Sequence, residues 1–170
     1  MSDDPAESGS AVQLYLLRHA HAGDPAAWHG DDDLRPLTRK GRRQAKRLGS
    51  FIRAVGLKPD AFVTSPLVRA AETAELVAKA LRNEVVVDGR LAGDLGLGRL
   101  DELLGELGAT RPVLVGHDPD FSAIVAMLCG ASRIPMKKGA LARIDVERPL
   151  QPGGGVLRWL VPPDLLRTEE

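Results

Sequence analysis

The chain is poor in cysteine and in aromatic residues, has no surplus of either charge, and lacks any long apolar run. Its one cysteine, Cys129, cannot form a disulfide within the chain and reads as a small buried hydrophobe in an apolar helical pattern. A chain without disulfides fits a reducing compartment, so a cytoplasmic location is expected. Aromatics make up only 4% of the residues, which argues against platforms for stacking bases. Basic and acidic side chains both number 23, so the formal net charge is zero. Nothing in that balance attracts nucleic acid or an anionic membrane. No apolar stretch approaches the ~20 residues needed to span a bilayer. Residues 1–10 are acidic and small, lack the apolar segment of a secretory signal, and are expected to form a disordered tail. Residues 164–170 are expected to fray.

The 170 residues, 44% apolar and 27% charged, suit one globular domain, expected over 11–163. Short runs at 12–17, 61–64, 84–87 and 112–115 read as strands, the first of them buried and apolar on both faces. Amphipathic stretches between them read as helices over 39–55, from Ser65-Pro66 to about Leu81, and over 100–107, with a fourth starting at Asp118-Pro119. Two later runs, 140–146 and 156–161, flank a Pro/Gly-rich connection and suggest a hairpin. This order predicts an α/β fold: a three-layer sandwich with a mainly parallel central sheet, helices on both faces, and antiparallel strands near one edge.

Two strands end in histidine. Leu14-Tyr15-Leu16-Leu17 stops at Arg18-His19, and Val113-Leu114-Val115 stops at Gly116-His117. Open α/β sheets bind ligands beyond the carboxyl ends of their strands, so both imidazoles are expected in one crevice. Arg18 suits bidentate contact with phosphate. Arg69 falls in the first turn of a helix, where a cation is unfavourable unless an anion lies beside it. Gly116 would let the backbone approach a ligand. Taken singly, each residue has a structural explanation; together, Arg18, His19, Arg69 and His117 form a set suited to a phosphoryl group.

These residues sit in a recognisable frame. Leu17-Arg18-His19-Ala20, Arg35-Pro36-Leu37-Thr38 with Gly41, Thr64-Ser65-Pro66 with Arg69-Ala70 and Glu72-Thr73, and Val115-Gly116-His117 occur in that order. The pattern resembles the histidine phosphatase superfamily, the phosphoglycerate-mutase-like group, and looks most like its SixA-type phosphohistidine phosphatases. The resemblance spans Leu14 to about Val146. It implies that His19 is a nucleophile forming a covalent phosphohistidine, with Arg18, Arg69 and His117 binding the phosphoryl group and no metal or other cofactor required. The implied substrate is a phosphohistidine-bearing protein, a phosphorelay or phosphotransferase component, and the product inorganic phosphate. This agrees with general chemistry, since phosphoryl transfer is mainly positioning and charge stabilisation. His19 must attack as neutral imidazole whereas His117 works better charged, so their pKa values are expected to be pushed apart.

The general acid is not evident. Many members of the superfamily place Glu after the third strand, where this chain has Leu91-Ala92-Gly93-Asp94-Leu95. Asp94 is thus a candidate by region and Asp118 by proximity to His117, although Asp-Pro at a helix start is usually a cap. Asp24 is a weaker third. A phosphohistidine leaves as neutral imidazole once its distal nitrogen holds a proton, so it needs an enzyme acid less than an ester does. His19-Ala20-His21 with Asp24 brushes a metallo-hydrolase pattern, but the spacing is wrong and only four histidines exist. His21 is expected at the pocket rim and His29 on the surface. The run Asp31-Asp32-Asp33 is expected to be solvated, with Asp33 pairing to Arg35. Lys137-Lys138 reads as a solvated pair that would help a phosphoprotein dock. Rival readings are a small-molecule phosphate-ester phosphatase or mutase of the same superfamily, a phosphoprotein-binding pseudophosphatase, and, more remotely, a receiver-like signalling module.

Overall fold

In the computed structural model, which describes residues 10–167, six strands form one sheet in the order β3-β2-β4-β1-β5-β6. The strands are β1 (Ser10–Arg18), β2 (Ala61–Thr64), β3 (Val86–Val87), β4 (Pro112–Gly116), β5 (Leu141–Arg148) and β6 (Val156–Val161). The first four pair in parallel, and β5 and β6 add antiparallel at one edge. Helices α1 (Arg39–Ala54), α2 (Val68–Leu81), α3 (Leu97–Leu107) and α4 (Asp120–Leu128) complete the expected α/β layers.

The pleat of β1 explains why its run is apolar on both faces. Val12, Leu14 and Leu16 enter one core with Leu100, Leu103 and Leu104 of α3 and Phe121, Ile124 and Val125 of α4. Tyr15 and Leu17 enter the other with Leu48 and Ile52 of α1 and Ala70, Ala74 and Val77 of α2. Successive strand residues point to opposite faces, so a central strand covered on both sides has no polar position to offer. Each fully buried Leu or Ile contributes roughly 1.5–3 kcal/mol by leaving water. A charge at Leu48 would therefore detach α1.

The N-terminus of α1 is fixed to the first loop. Thr38 accepts the amide of Gly41 on its hydroxyl at 3.1 Å, as an N-cap should. Gly41 packs directly on the His21 carbonyl: a Cβ there would lie 2.0 Å from that oxygen. Only glycine lets α1 and the loop approach this closely.

Several boundaries differ from the sequence expectation. Helix α2 starts at Val68, because Ser65 turns back to accept the Leu67 amide at 3.2 Å and Pro66 stays outside the helix. A 3-10 turn at Gly89–Ala92 follows the short β3, and α3 begins at Leu97. Helix α4 starts at Asp120, with Pro119 at the cap position. At the C-terminus, Pro163–Leu166 is not frayed: it forms a 3-10 turn that buries Pro163 and packs Leu166 against the α1/α2 core. Burial there outweighs the freedom of a chain end. The rest of the expected N-terminal tail, 1–9, and of the C-terminal tail, 168–170, lies outside the described residues; Ser10 already belongs to β1.

Candidate active site

Strands β2, β4 and β1 are adjacent and parallel, so their carboxyl ends lie side by side. The ladder continues one residue further, with the His19 amide donating to Gly116 O at 3.0 Å and the Ser65 amide to Val115 O at 3.0 Å. His19 and His117 thereby face each other, ring centroids 5.2 Å apart and planes at 52°. Both are buried, with 5% and 8% of their surface exposed.

Each ring has one fixed partner. His19 Nδ1 lies 2.8 Å from the Ala20 carbonyl, which can only accept. Nδ1 therefore carries the hydrogen, and Nε2 keeps its lone pair as a nucleophile requires. His117 Nε2 lies 2.7 Å from Ser65 Oγ.

Two guanidinium groups join the rings, for the field of both Arg18 and Arg69 reaches His19 and His117. Arg18 Nη1 donates to Met136 O at 2.6 Å and stands 3.2 Å from Asp118 Oδ2. Arg69 Nη1 donates to Asp32 O at 2.8 Å, and its Nη2 stands 3.2 Å from Asp32 Oδ2. The Nε of each arginine is buried without a hydrogen-bond partner. A buried charged donor left unsatisfied is costly, and each of these two arginines carries one.

The histidine phosphatase superfamily (branch 1) model matches residues 14–138. The chain belongs to that superfamily. It is 28% identical over 159 residues to the phosphohistidine phosphatase SixA of Escherichia coli K12, covering 89% of this chain and 94% of SixA. The structure of the protein histidine phosphatase SixA complexed with tungstate superposes with a TM-score of 0.80, covering 92% of this chain and all of that one at 24% identity. A probable phosphoglycerate mutase, GpmB of Cronobacter sakazakii, is 33% identical over 118 residues, spanning 64% of this chain and 52% of its own length.

The electrostatics of this histidine phosphatase site depart from the sequence expectation in one respect. The two imidazole pKa values are not pushed apart; both are pushed down. Burial, then the neighbouring His117, Arg69 and Arg18 charges, takes His19 to about 3, against the carbonyl of Ala20, which raises it. Burial, then Arg69 and Arg18, takes His117 to about 4. Both rings are neutral at neutral pH.

Other expectations also need correction. Arg69 does not need an external anion to explain its place, because Asp32 reaches it from the first loop. Asp32, not Asp33, also accepts Arg35 Nε, at 2.8 Å. Arg35 is itself buried and donates to Ala22 O at 2.7 Å. Gly116 leaves room for Phe121 of α4, not for a ligand: a Cβ there would stand 2.7 Å from the ring. Asp118 accepts the Ser122 amide and hydroxyl at 3.0 and 2.6 Å, and its second oxygen also faces Arg18. It is a brace between Arg18 and α4. Asp94 is exposed, in a left-handed backbone conformation, and its carbonyl accepts from Arg99. None of its contacts is to the four-residue cluster. Asp24 caps the 3-10 turn Pro25–Ala27 through the Ala26 amide. His21 is held at Nδ1 by Thr38 Oγ1 at 2.7 Å, and His29 is exposed. Among the described residues no group of three or more His, Cys, Asp or Glu side chains is placed to hold a metal ion.

Sequence reasoning left several site residues without a role. Asp32 was hidden in an acidic run. Ser65, Arg35 and Thr73 stood inside the motifs, but their contacts with His117, Ala22 and Ala20, across 13 to 53 positions, are not visible in a single sequence. Thr73 is fully buried; its hydroxyl accepts the Ala20 amide at 3.1 Å and donates to Arg69 O at 2.7 Å. Gln44 accepts the His21 amide at 3.0 Å. The loop behind the nucleophile is thus tied to both α1 and α2.

Proposed function

We propose that this chain hydrolyses phosphohistidine in a protein substrate through a covalent intermediate on His19. The observation that carries the reading is the 5.2 Å pairing of the two buried imidazoles, with His19 Nδ1 tied to a carbonyl. That hydrogen bond leaves Nε2 ready for in-line attack on phosphorus. As the His19 N–P bond forms, the P–N bond to the substrate imidazole breaks, and its electron pair stays on a ring whose other nitrogen already holds a proton. The leaving group is neutral imidazole. Water then attacks phosphorus from the vacated side, inorganic phosphate departs, and His19 is regenerated. Dividing hydrolysis into two displacements is ordinary nucleophilic catalysis.

Arg18 and Arg69 spread the charge of the equatorial oxygens. A dianionic phosphoryl group opposes the arginine field that holds His117 down, so binding raises the His117 pKa and makes it a better donor. These groups supply nucleophile, positioning and charge without a metal or cofactor. The connection after β1 contains only the 3-10 turns Pro25–Ala27 and Asp32–Leu34, too little to build a cap over a small substrate. Access of that kind favours a protein surface, in keeping with the named activity of SixA and with a cytoplasmic phosphorelay or phosphotransferase component as partner. Neither Asp94 nor Asp118 is assigned as acid.

The test is turnover of a histidine-phosphorylated protein, 3-phosphoglycerate and a chromogenic phosphate ester by the wild type and by His19→Ala. Phosphohistidine is expected to be hydrolysed best, with acid-labile phosphate trapped on His19. Preference for 3-phosphoglycerate or turnover by His19→Ala would overturn the proposal, and loss of phosphohistidine turnover in Asp94→Asn would overturn departure of the imidazole without an enzyme acid. Binding of the phosphoprotein without turnover by the wild type would identify a pseudophosphatase.

A further inference from the structure

The two lysines of the loop before β5 have different surroundings. Lys137 is exposed and pairs with Asp164 at 3.1 Å. Lys138 is half-buried, and among the described residues no carboxylate forms an ion pair with it. Its backbone is locked against the nucleophile. The next residue, Gly139, has φ of +81°, which aims its amide at both Arg18 O (3.1 Å) and His19 O (2.9 Å). The Arg18 amide returns a bond to Ala140 O at 3.1 Å, and Met136 O receives the Arg18 guanidinium. Lys138 therefore sits inside a turn stitched at both ends to Arg18.

Its ammonium lies within electrostatic reach of the same cluster. Arg18, Arg35 and Arg69, from three separate segments, all act on its ammonium, and it in turn acts on His21 at the rim. Burial and these like charges lower its pKa, with Asp24 opposing. Every arginine of the group has an oxygen partner: Met136 O and Asp118 for Arg18, Asp32 and Ala22 O for Arg35, Asp32 for Arg69. Lys138 alone in this group has none, and two of the guanidiniums that act on it, those of Arg18 and Arg69, each keep a buried Nε without a partner. A half-buried ammonium among like charges is unfavourable unless a ligand brings the opposite charge.

We propose that Lys138 is a fifth phosphoryl contact, added at the mouth of the pocket to Arg18, His19, Arg69 and His117, and that it makes the site select a doubly charged tetrahedral anion. The inference rests on the phosphoryl reading of the site and adds a specificity residue to it. A phosphoryl group set against His19 for in-line attack turns its leaving group outward and its three equatorial oxygens to the sides, one of them toward the Lys138 ammonium. That oxygen carries extra charge in a phosphomonoester or phosphoramidate and is substituted in a diester.

Tungstate and perrhenate test this, being tetrahedral oxyanions of similar size with two charges and one. Their dissociation constants are measured by calorimetry for wild type, Lys138→Gln and Lys138→Arg. The wild type is expected to prefer tungstate. Lys138→Gln should weaken tungstate by roughly 10- to 100-fold, the size of one charge-assisted hydrogen bond, and perrhenate far less. Lys138→Arg should keep most of the preference. The ligand-free Lys138→Gln protein should also melt no lower than wild type, since a like charge has been removed. Equal tungstate affinity in wild type and Lys138→Gln would overturn the role of Lys138 alone. Equal weakening of both anions would overturn the charge selection. Failure of the wild type to bind either anion would overturn the phosphoryl reading itself.

Discussion

Replacing Thr73 with valine separates the hydrogen bonds behind the nucleophile from the packing around them. The two side chains have the same shape, and Thr73 is fully buried, so volume is conserved. The hydroxyl holds the Ala20 amide at 3.1 Å and donates to Arg69 O at 2.7 Å. Arg69 O can keep its bond within α2, whereas the Ala20 amide loses its partner in a buried position. Leaving a buried donor unsatisfied costs about 1–3 kcal/mol. Burying a methyl in place of the hydroxyl offsets up to ~0.8 kcal/mol. The net expectation is a loss of about 1–2 kcal/mol, which in a domain of this size lowers Tm by roughly 2–8 °C. The released amide adjoins His19, so the nucleophile also loses orientation. A fall of about tenfold in kcat with KM nearly unchanged is expected, corresponding to about 1.4 kcal/mol in the barrier. Denaturant melts and steady-state turnover check both, and Thr73→Ser should recover most of each. Wild-type stability and kcat in Thr73→Val would refute the claim that this hydroxyl positions the loop.

Three further outcomes follow from the geometry. Both site histidines have folded pKa values below the unfolded 6.5, so the unfolded chain binds more protons between about pH 3 and 6.5. Stability from this source is complete above pH 6.5 and falls as pH drops; urea melts at pH 7.5 and 5 should show the decline, reduced in a His19→Asn, His117→Asn double variant, and equal pH slopes in wild type and double variant would contradict it. Gly41→Ala places a Cβ 2.0 Å from the His21 carbonyl, a backbone atom that cannot swing aside; a loss of about 3 kcal/mol or more is expected, and a melt within 1 °C of wild type would show that the loop and α1 separate easily. Gln44→Leu removes the acceptor for the His21 amide, whose peptide carries the carbonyl that fixes His19 Nδ1; 15N spectra should show a mixed His19 tautomer, with unchanged shifts counting against the coupling.

The strand runs, the helical stripes and the motif residues were legible because each depends on neighbours in the chain. Leu14 to Leu17 are apolar without alternation, and only a strand covered on both faces requires that. Arg18 at the end of β1 and His19 and His117 just past β1 and β4 were legible because a sheet delivers its carboxyl ends to one edge, and Arg69 because it opens the helix after β2. Helix starts were less legible: Ser65 Oγ accepts the Leu67 amide, so α2 begins only at Val68, and Asp118 holds the Ser122 amide as a cap would while α4 itself begins at Asp120. The pairing of Asp32 with both Arg35 and Arg69 was not legible, since nothing local distinguishes it from Asp31 or Asp33.

The amino-acid sequence by itself determined the α/β order and which residues would stand at the sheet's carboxyl edge, because periodicity and strand length are local properties. Only the tertiary structure decided what each of those residues faces. It lowered both imidazole pKa values by burying them beside two guanidiniums, made Asp118 a brace, filled the space beside Gly116 with Phe121, and left Lys138 half-buried while Lys137 found Asp164. Desolvation and charge proximity depend on distances across folded segments, and a linear chain does not contain those distances until it has packed.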